Sequence, residues 1–397
     1  MSRLCLSVRP RRIRRGAALT LTLATVLATG AAAGSWHAGH TAHPRPEPSA
    51  ASGSLTADRA AVEKAAAEAM AAGKSGAEAA AEVVSRSGDR WSTIYTAGEF
   101  EDFQRQLDGD YVGVGLWLRQ ARGGRLEVSR VRPGGPAARA GTARGDRLVA
   151  VDGRPVRGRP VTEVVALLRG DGDDEAGRGR AGTPVELALQ RGARTWSTTV
   201  HRARLRSQDV TTDRPAGASG PVRIRAEAFT KGSGAAIRDA VRAAPPDAGL
   251  LLDLRGNTGG LVAEATAAAS AFLDGGLVAT YDVHGRQRAL YAGDGGNTRV
   301  PLVVLVDGGT MSAAELLAGA LQDRGRAVVV GSPTFGKGSV QMPSTLPDGS
   351  VAELTVGHYR TPAGRTVDGH GITPDLTVED GATARAVTVL SGLGTGA

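Results

Sequence analysis

The sequence predicts a multidomain α/β protein, and three observations carry that expectation. Its 397 residues exceed what one core commonly organises, at about 150 residues per domain. Residues 111–203 alternate apolar and polar side chains in short runs, as half-buried strands do. From Val222 onward, apolar strand-like runs alternate with helical ones, which implies a mostly parallel sheet with helices packed on it. Hydrophobic residues at 41% and charged residues at 22% allow a real core and exclude a collagenous, disordered or multi-spanning chain. Aromatics are only 4%, against 56 glycines, so Val, Leu, Ile and Ala must build that core.

The formal charge of +8 suggests a nucleic-acid binder until the charge is located. Arg3, Arg9, Arg11, Arg12, Arg14 and Arg15 crowd the first 16 residues, and residues 17–33 carry no charge. Without residues 1–33 the balance is 42 basic against 40 acidic side chains, a net of +2. No basic stripe interleaved with aromatics remains, so nucleic acid is excluded as a partner. Residues 1–33 instead order a basic region, an apolar run (Ala17–Ala28) and a small-residue Ala31-Ala32-Ala33 site. That is an export signal, cleaved or retained as a membrane anchor, and it predicts an extracytoplasmic protein. Cys5 precedes the apolar run and implies neither a disulfide nor a catalytic thiol.

Residues 34–57, rich in Gly, Ser, His, Pro and Ala, read as a linker; its His37, His40 and His43 lack an acid or Cys to complete a metal site. An N-terminal helical segment follows over 58–110. Ala57–Ser85 is Ala/Glu-rich with few breakers, and Asp89–Leu107 ends in a short helix with Thr96 as N-cap and Glu99 three residues on. Across 111–203, YVGVGLWL, RLEVSRV, DRLVAVDG and VELALQRG read as strands around PGGPAARAG and a helical VTEVVALLRG. Two short helices among five or six strands, with GGPAARAGTARGDRLVAVDG between them, resemble a PDZ domain. The resemblance implies that Gly113, Val114, Gly115 and Leu116 hold a peptide's terminal carboxylate through backbone N–H groups, while the peptide adds as a strand. The insert 171–182 begins like a calcium loop but lacks the closing Glu, and reads as a solvated hairpin tip.

Within 208–391, GLLLDLRGNTGG leads into a helix from Leu261, PLVVLVDGG leads into a helix from Ser312, and RAVVVGSP is a third strand. Both strand-to-helix turns then lie at carboxyl ends of strands, where α/β folds place their chemistry. Ser312 opens its helix, so first-turn N–H groups can hold a developing oxyanion; Ser312 and Glu315 equally spell a capping box. A serine nucleophile needs a base, and no histidine lies in a triad motif. The chain has only four lysines among 48 basic residues, and one of them, Lys337, sits between two glycines. Lysine, unlike arginine, loses its proton when desolvated, so Lys337 is the candidate base. GSPTFGKG lacks the Ser/Thr that a phosphate loop needs after its lysine, and no zinc motif is present. In RGNTGG the glycines either make a tight turn or let an N–H complete an oxyanion hole with that of Ala313.

DLRGNTGG, TMSAAELLAGALQDRGRAVVVG and SPTFGKGSVQ, in this order behind a PDZ-like module, resemble the carboxyl-terminal processing (tail-specific) peptidases. GHGITPDLTV and WSTIYTAGEFEDF match as well, so the likeness runs from about Asp89 to Val378. It implies a crotonase-like catalytic domain and a serine/lysine dyad that cuts proteins near apolar C-termini. By position, Ser312 is the nucleophile, Lys337 the general base and Gln341 its orienting partner. Ala313 and either Gly259 or Gly260 supply the oxyanion hole. No metal or organic cofactor is implied, and the partners are protein substrates with apolar tails. Thr310-Met311 replaces the usual Ser-Ala, which points to an altered specificity pocket. The rivals are an inert PDZ-type scaffold, which the joint presence of Ser312, Lys337 and Gln341 opposes, and acyl-CoA chemistry, which the PDZ module opposes.

Overall fold

The computed structural model describes residues 56–121, 123–170, 180–217, 220–283 and 286–394. The predicted export signal, nearly all of the linker with its histidines, and most of the 171–182 insert lie outside them.

The N-terminal segment holds α1 (Arg59–Ala71), α2 (Gly76–Ser87), β1 (Thr93–Tyr95) and α3 (Ala97–Leu107). The Ala/Glu-rich stretch forms two helices rather than one. Gly73 turns at φ +70, and Ser75 restarts the chain by accepting the N–H of Glu78. Asp58 caps α1, and α3 carries the Thr96/Glu99 capping box expected of it.

The next body comprises β2 (Asp110–Gly113), β3 (Leu116–Ala121), β4 (Arg125–Val131), α4 (Pro136–Arg139), β5 (Arg147–Val151), β6 (Arg154–Pro155), α5 (Val161–Arg169), β7 (Pro184–Arg191), β8 (Arg194–His201) and β9 (Ala203–Arg206). Its antiparallel sheet runs β3-β4-β5-β7-β8 with β6 on β5, and β2 pairs with β9. Leu126, Leu148, Leu187 and Leu189, the inward positions of alternating strands, bury with Val164 of α5. β3 ends the strand order, so one edge of it is open for a further strand.

The third body comprises β10 (Val210–Asp213), β11 (Val222–Ala226), α6 (Ser233–Ala243), β12 (Leu250–Asp253), α7 (Val262–Ala269), β13 (Leu277–Val283), β14 (Arg286–Tyr291), β15 (Leu302–Val306), α8 (Ala313–Asp323), β16 (Val328–Gly331), β17 (Ser339–Thr345), β18 (Val351–Arg360), β19 (Leu376–Thr377) and α9 (Ala382–Gly394). The sheet β10-β11-β12-β15-β16-β19 is parallel apart from β10. Residues of β12 and β15 are buried on both faces, as parallel strands require. Ile237, Ala265, Leu317 and Leu321 pack on one face of the sheet. On the other, Leu251, Val303 and Leu305 meet Ala382, Ala386 and Leu390 of α9. A second sheet, β1-β18-β13-β14 with β17 on β18, joins the N-terminal segment to this body through Thr93↔Glu353.

Candidate active site

Two strand-to-helix turns meet at the carboxyl ends of β12 and β15. Asp307 binds them together: its Oδ1 accepts from Gly309 N at 2.9 Å and from Gly256 N at 2.8 Å. Thr310 Oγ1 donates to the Leu254 carbonyl at 2.9 Å, and Met311 N to the Asn257 carbonyl at 2.8 Å. Met311 itself is buried.

Ser312 follows, nearly fully buried, at φ +55 and ψ −119. An N-cap normally takes extended angles; here a non-glycine residue is held in a sparsely populated region, at a cost of about 1–3 kcal/mol. Contacts on both sides hold it there. Its N–H donates to Glu315 Oε2 at 2.8 Å, and its carbonyl accepts from Tyr359 Oη at 2.9 Å. Ser312→Gly relaxes this strain, so its unfolding midpoint should exceed that of Ser312→Ala by a few degrees, about 1 kcal/mol of the stored strain. Equal midpoints in calorimetry would show the turn to be unstrained.

Glu315 does more than the capping box predicts. Oε1 accepts from Thr334 Oγ1 at 2.5 Å and Gly336 N at 2.7 Å, and Oε2 accepts from Lys337 N at 2.9 Å as well as from Ser312. One buried carboxylate thus fastens the serine turn to the lysine loop. Burial pushes its carboxyl up while the four donors pull it back, the net direction being upward.

Lys337 is fully buried. The flanking glycines are explained by the chain that crosses them: a Cβ on Gly338 would lie 2.5 Å from Asp368 N, and one on Gly336 3.0 Å from Gly371 N. The ammonium lies 4.8 Å from the Trp91 ring centroid and has no hydrogen-bond partner among the described residues. Burial lowers its pKa to about 8, against the upward pull of Glu353, Glu315 and Asp89.

Gln341, also buried, does not contact Lys337 by a hydrogen bond. Its Nε2 donates to Ser339 Oγ at 2.8 Å and Thr355 Oγ1 at 3.2 Å, and Thr355 donates on to Asp89 Oδ1 at 3.2 Å. Asp89 also accepts from Trp91 N and from Ser92 N and Oγ. Asp89 and Trp91, read from the sequence only as part of a helical segment, are therefore walls of the site.

The glycine turn brings Gly259 against Ser312: a Cβ there would lie 3.0 Å from both Met311 O and Ser312 Cβ, and 3.2 Å from Ala313 N. Gly259 N already donates to Asn257 Oδ1 at 2.8 Å. Gly260 bridges to Phe229, whose carbonyl a Cβ would approach to 2.4 Å. In the second body, Gly115 turns at φ +78 beside the Arg132 side chain, Val114 is buried, and Leu116 opens β3 at the sheet edge. Among the described residues no three His, Cys, Asp or Glu side chains converge to hold a metal ion.

A serine on a strained strand-to-helix turn is thus tied through one carboxylate to a buried lysine, in a chain that also carries a small antiparallel module. Residues 222–378 match Peptidase family S41 and residues 127–191 match the PDZ domain. The chain thus carries a peptidase family S41 domain and a PDZ domain, and it spans about three fifths of the length of the curated relatives it matches. It is 33% identical over 303 residues to the carboxyl-terminal-processing peptidase 2, chloroplastic, of Arabidopsis thaliana, a match covering 72% of this chain and 57% of that relative's length. The solved photosystem II D1 C-terminal processing protease is 30% identical, with TM-score 0.49 over 80% of this chain and 86% of that one. A protein assigned as an S41 protease from Bacteroides fragilis shares 16% identity at TM-score 0.52 over 77% and 87%.

Proposed function

We propose that this protein is an exported endopeptidase that cuts protein substrates near apolar carboxyl termini, using Ser312 as nucleophile and Lys337 as general base on a crotonase-like core. The observation that carries the reading is the fully buried Lys337, joined through Glu315 to the Ser312 turn. Ser312 Oγ attacks the scissile carbonyl while Lys337 takes its proton. The acyl-enzyme and the released C-terminal fragment follow, and water completes hydrolysis. The oxyanion is held by Ala313 N and Gly260 N, since Gly259 N is already engaged by Asn257. Gln341 acts by bracing the wall of the lysine pocket through Thr355 and Asp89. The module at 113–116 receives the substrate's terminal carboxylate, and its tail adds along the open edge of β3. No metal or organic cofactor enters the scheme. Residues 1–33 deliver the chain across the membrane or anchor it there.

The test is cleavage of a denatured protein ending in an apolar tail by the full chain, Ser312→Ala and Lys337→Ala, with cuts located by mass spectrometry. Turnover by the first alone supports the dyad. Tail binding by all three proteins without cleavage would favour an inert scaffold instead.

The lysine also predicts a pH profile. Only neutral Lys337 accepts a proton, so kcat/KM should rise with pH through about 8 and level off above it. A rate already flat at pH 6 would remove Lys337 as the base.

A further inference from the structure

Glu353 lies in β18, fully buried, and both of its carboxylate oxygens lack a hydrogen-bond partner among the described residues. That is an expensive arrangement for an isolated carboxylate. Its surroundings give the reason. Gln341 pairs with Thr355, two residues along the same strand and therefore on the same face as Glu353. That face is the lysine pocket, where Lys337 Nζ and Gln341 Oε1 are likewise buried without partners. Two other acids face Lys337, but each is already satisfied: Glu315 by four donors and Asp89 by Trp91, Ser92 and Thr355. Tyr95 of β1 also lies within reach of the Glu353 charge, and burial, ahead of that charge, raises its hydroxyl and keeps it neutral. Two opposite charges in one buried compartment each lower the cost of the other.

We propose that Glu353 is the counter-charge of Lys337, a positioning residue that stabilises the ammonium form and so sets the pH at which this lysine becomes a base. The effect on catalysis rests on the reading of Lys337 as the general base; the effect on the lysine's own titration does not. The two groups respond to each other as expected: burial raises the Glu353 carboxyl and Lys337 pulls it back, the net being about 7, and Glu353 is the largest influence holding Lys337 up.

The test exploits the scarcity of lysine. With [13Cε]-lysine incorporated into the full chain, the spectrum contains four lysine signals, from Lys64, Lys74, Lys231 and Lys337; the first three are exposed, and Lys337→Ala assigns the fourth. In Glu353→Gln, which keeps size and removes charge, the Lys337 midpoint should fall by about one pH unit or more. The acid limb of kcat/KM should move with it, raising the rate at pH 6 about tenfold while the alkaline plateau changes little. A purely structural Glu353 would alter the melting temperature but leave both midpoints in place, and that result overturns the proposal. In the unsubstituted protein, the Lys337 signal should also show a second, smaller step below its own midpoint as Glu353 titrates; a single step would likewise overturn it. A dyad that fails in the Ser312→Ala and Lys337→Ala assays leaves the lysine titration still decisive for Glu353.

Discussion

Ser312→Ala should lower kcat by about four orders of magnitude or more, as loss of a nucleophile does where nucleophile and base act as a unit. The fold should survive, because the contacts holding this turn run through the backbone N–H to Glu315 and the backbone carbonyl to Tyr359, and alanine keeps both. Lys337→Met should cost nearly as much, and the double variant hardly more than either alone. Steady-state cleavage of a tailed protein, beside thermal unfolding of each variant, checks the set. Turnover within tenfold of the parent in Ser312→Ala would remove the serine from the chemistry. Additive losses in the double variant would mean that the two side chains do not act on one step.

Gly260→Ala should damage the fold itself. The added methyl would lie 2.4 Å from the Phe229 carbonyl oxygen and 2.8 Å from its carbon, at φ +133, with backbone on both sides of the clash. A loss of at least about 3 kcal/mol is expected from strain and displacement together, lowering the unfolding midpoint by about 6–12 °C. Gly259→Ala should behave differently. Its methyl presses on Met311 O and Ser312 Cβ at 3.0 Å, so it should tilt the serine turn and lose activity out of proportion to stability. Calorimetry and kinetics on the pair separate the two; equal effects on both quantities would contradict this division.

The parallel sheet and its two glycine turns were legible because fully buried strands leave continuous apolar runs, such as Leu302–Val306. Ser312 was singled out by its place on a strand-to-helix turn and Lys337 by composition, a lysine kept between glycines in an arginine-rich chain; the family resemblance supplied the roles proposed for them. Glu315 was legible only as the capping-box partner that it is, since S-x-x-E reports local pairing and its other contacts come from residues 19 to 22 positions away. Asp89 and Trp91 reach the site across more than 240 residues, a juxtaposition no local pattern encodes. Glu353 was hidden by the same limit. β18 is buried continuously from Val351 to Thr355 because both of its faces are covered, so alternation could not reveal a carboxylate turned inward. The break between α1 and α2 turned on Gly73 and Ser75, weak signals inside a strongly helical composition.

The Tyr359 hydroxyl that supports the Ser312 carbonyl belongs to β18, and the same strand supplies Thr355 and Glu353 to the lysine pocket. Synthesis runs from the amino terminus, so the serine turn leaves the ribosome well before the strand that supports it. Until residues 351–360 have emerged and paired with β1 and β17, the nucleophile's carbonyl lacks its support and the lysine lacks its enclosure. A growing chain therefore cannot assemble this site from the serine turn and the lysine loop alone; it must wait for β18, made after both.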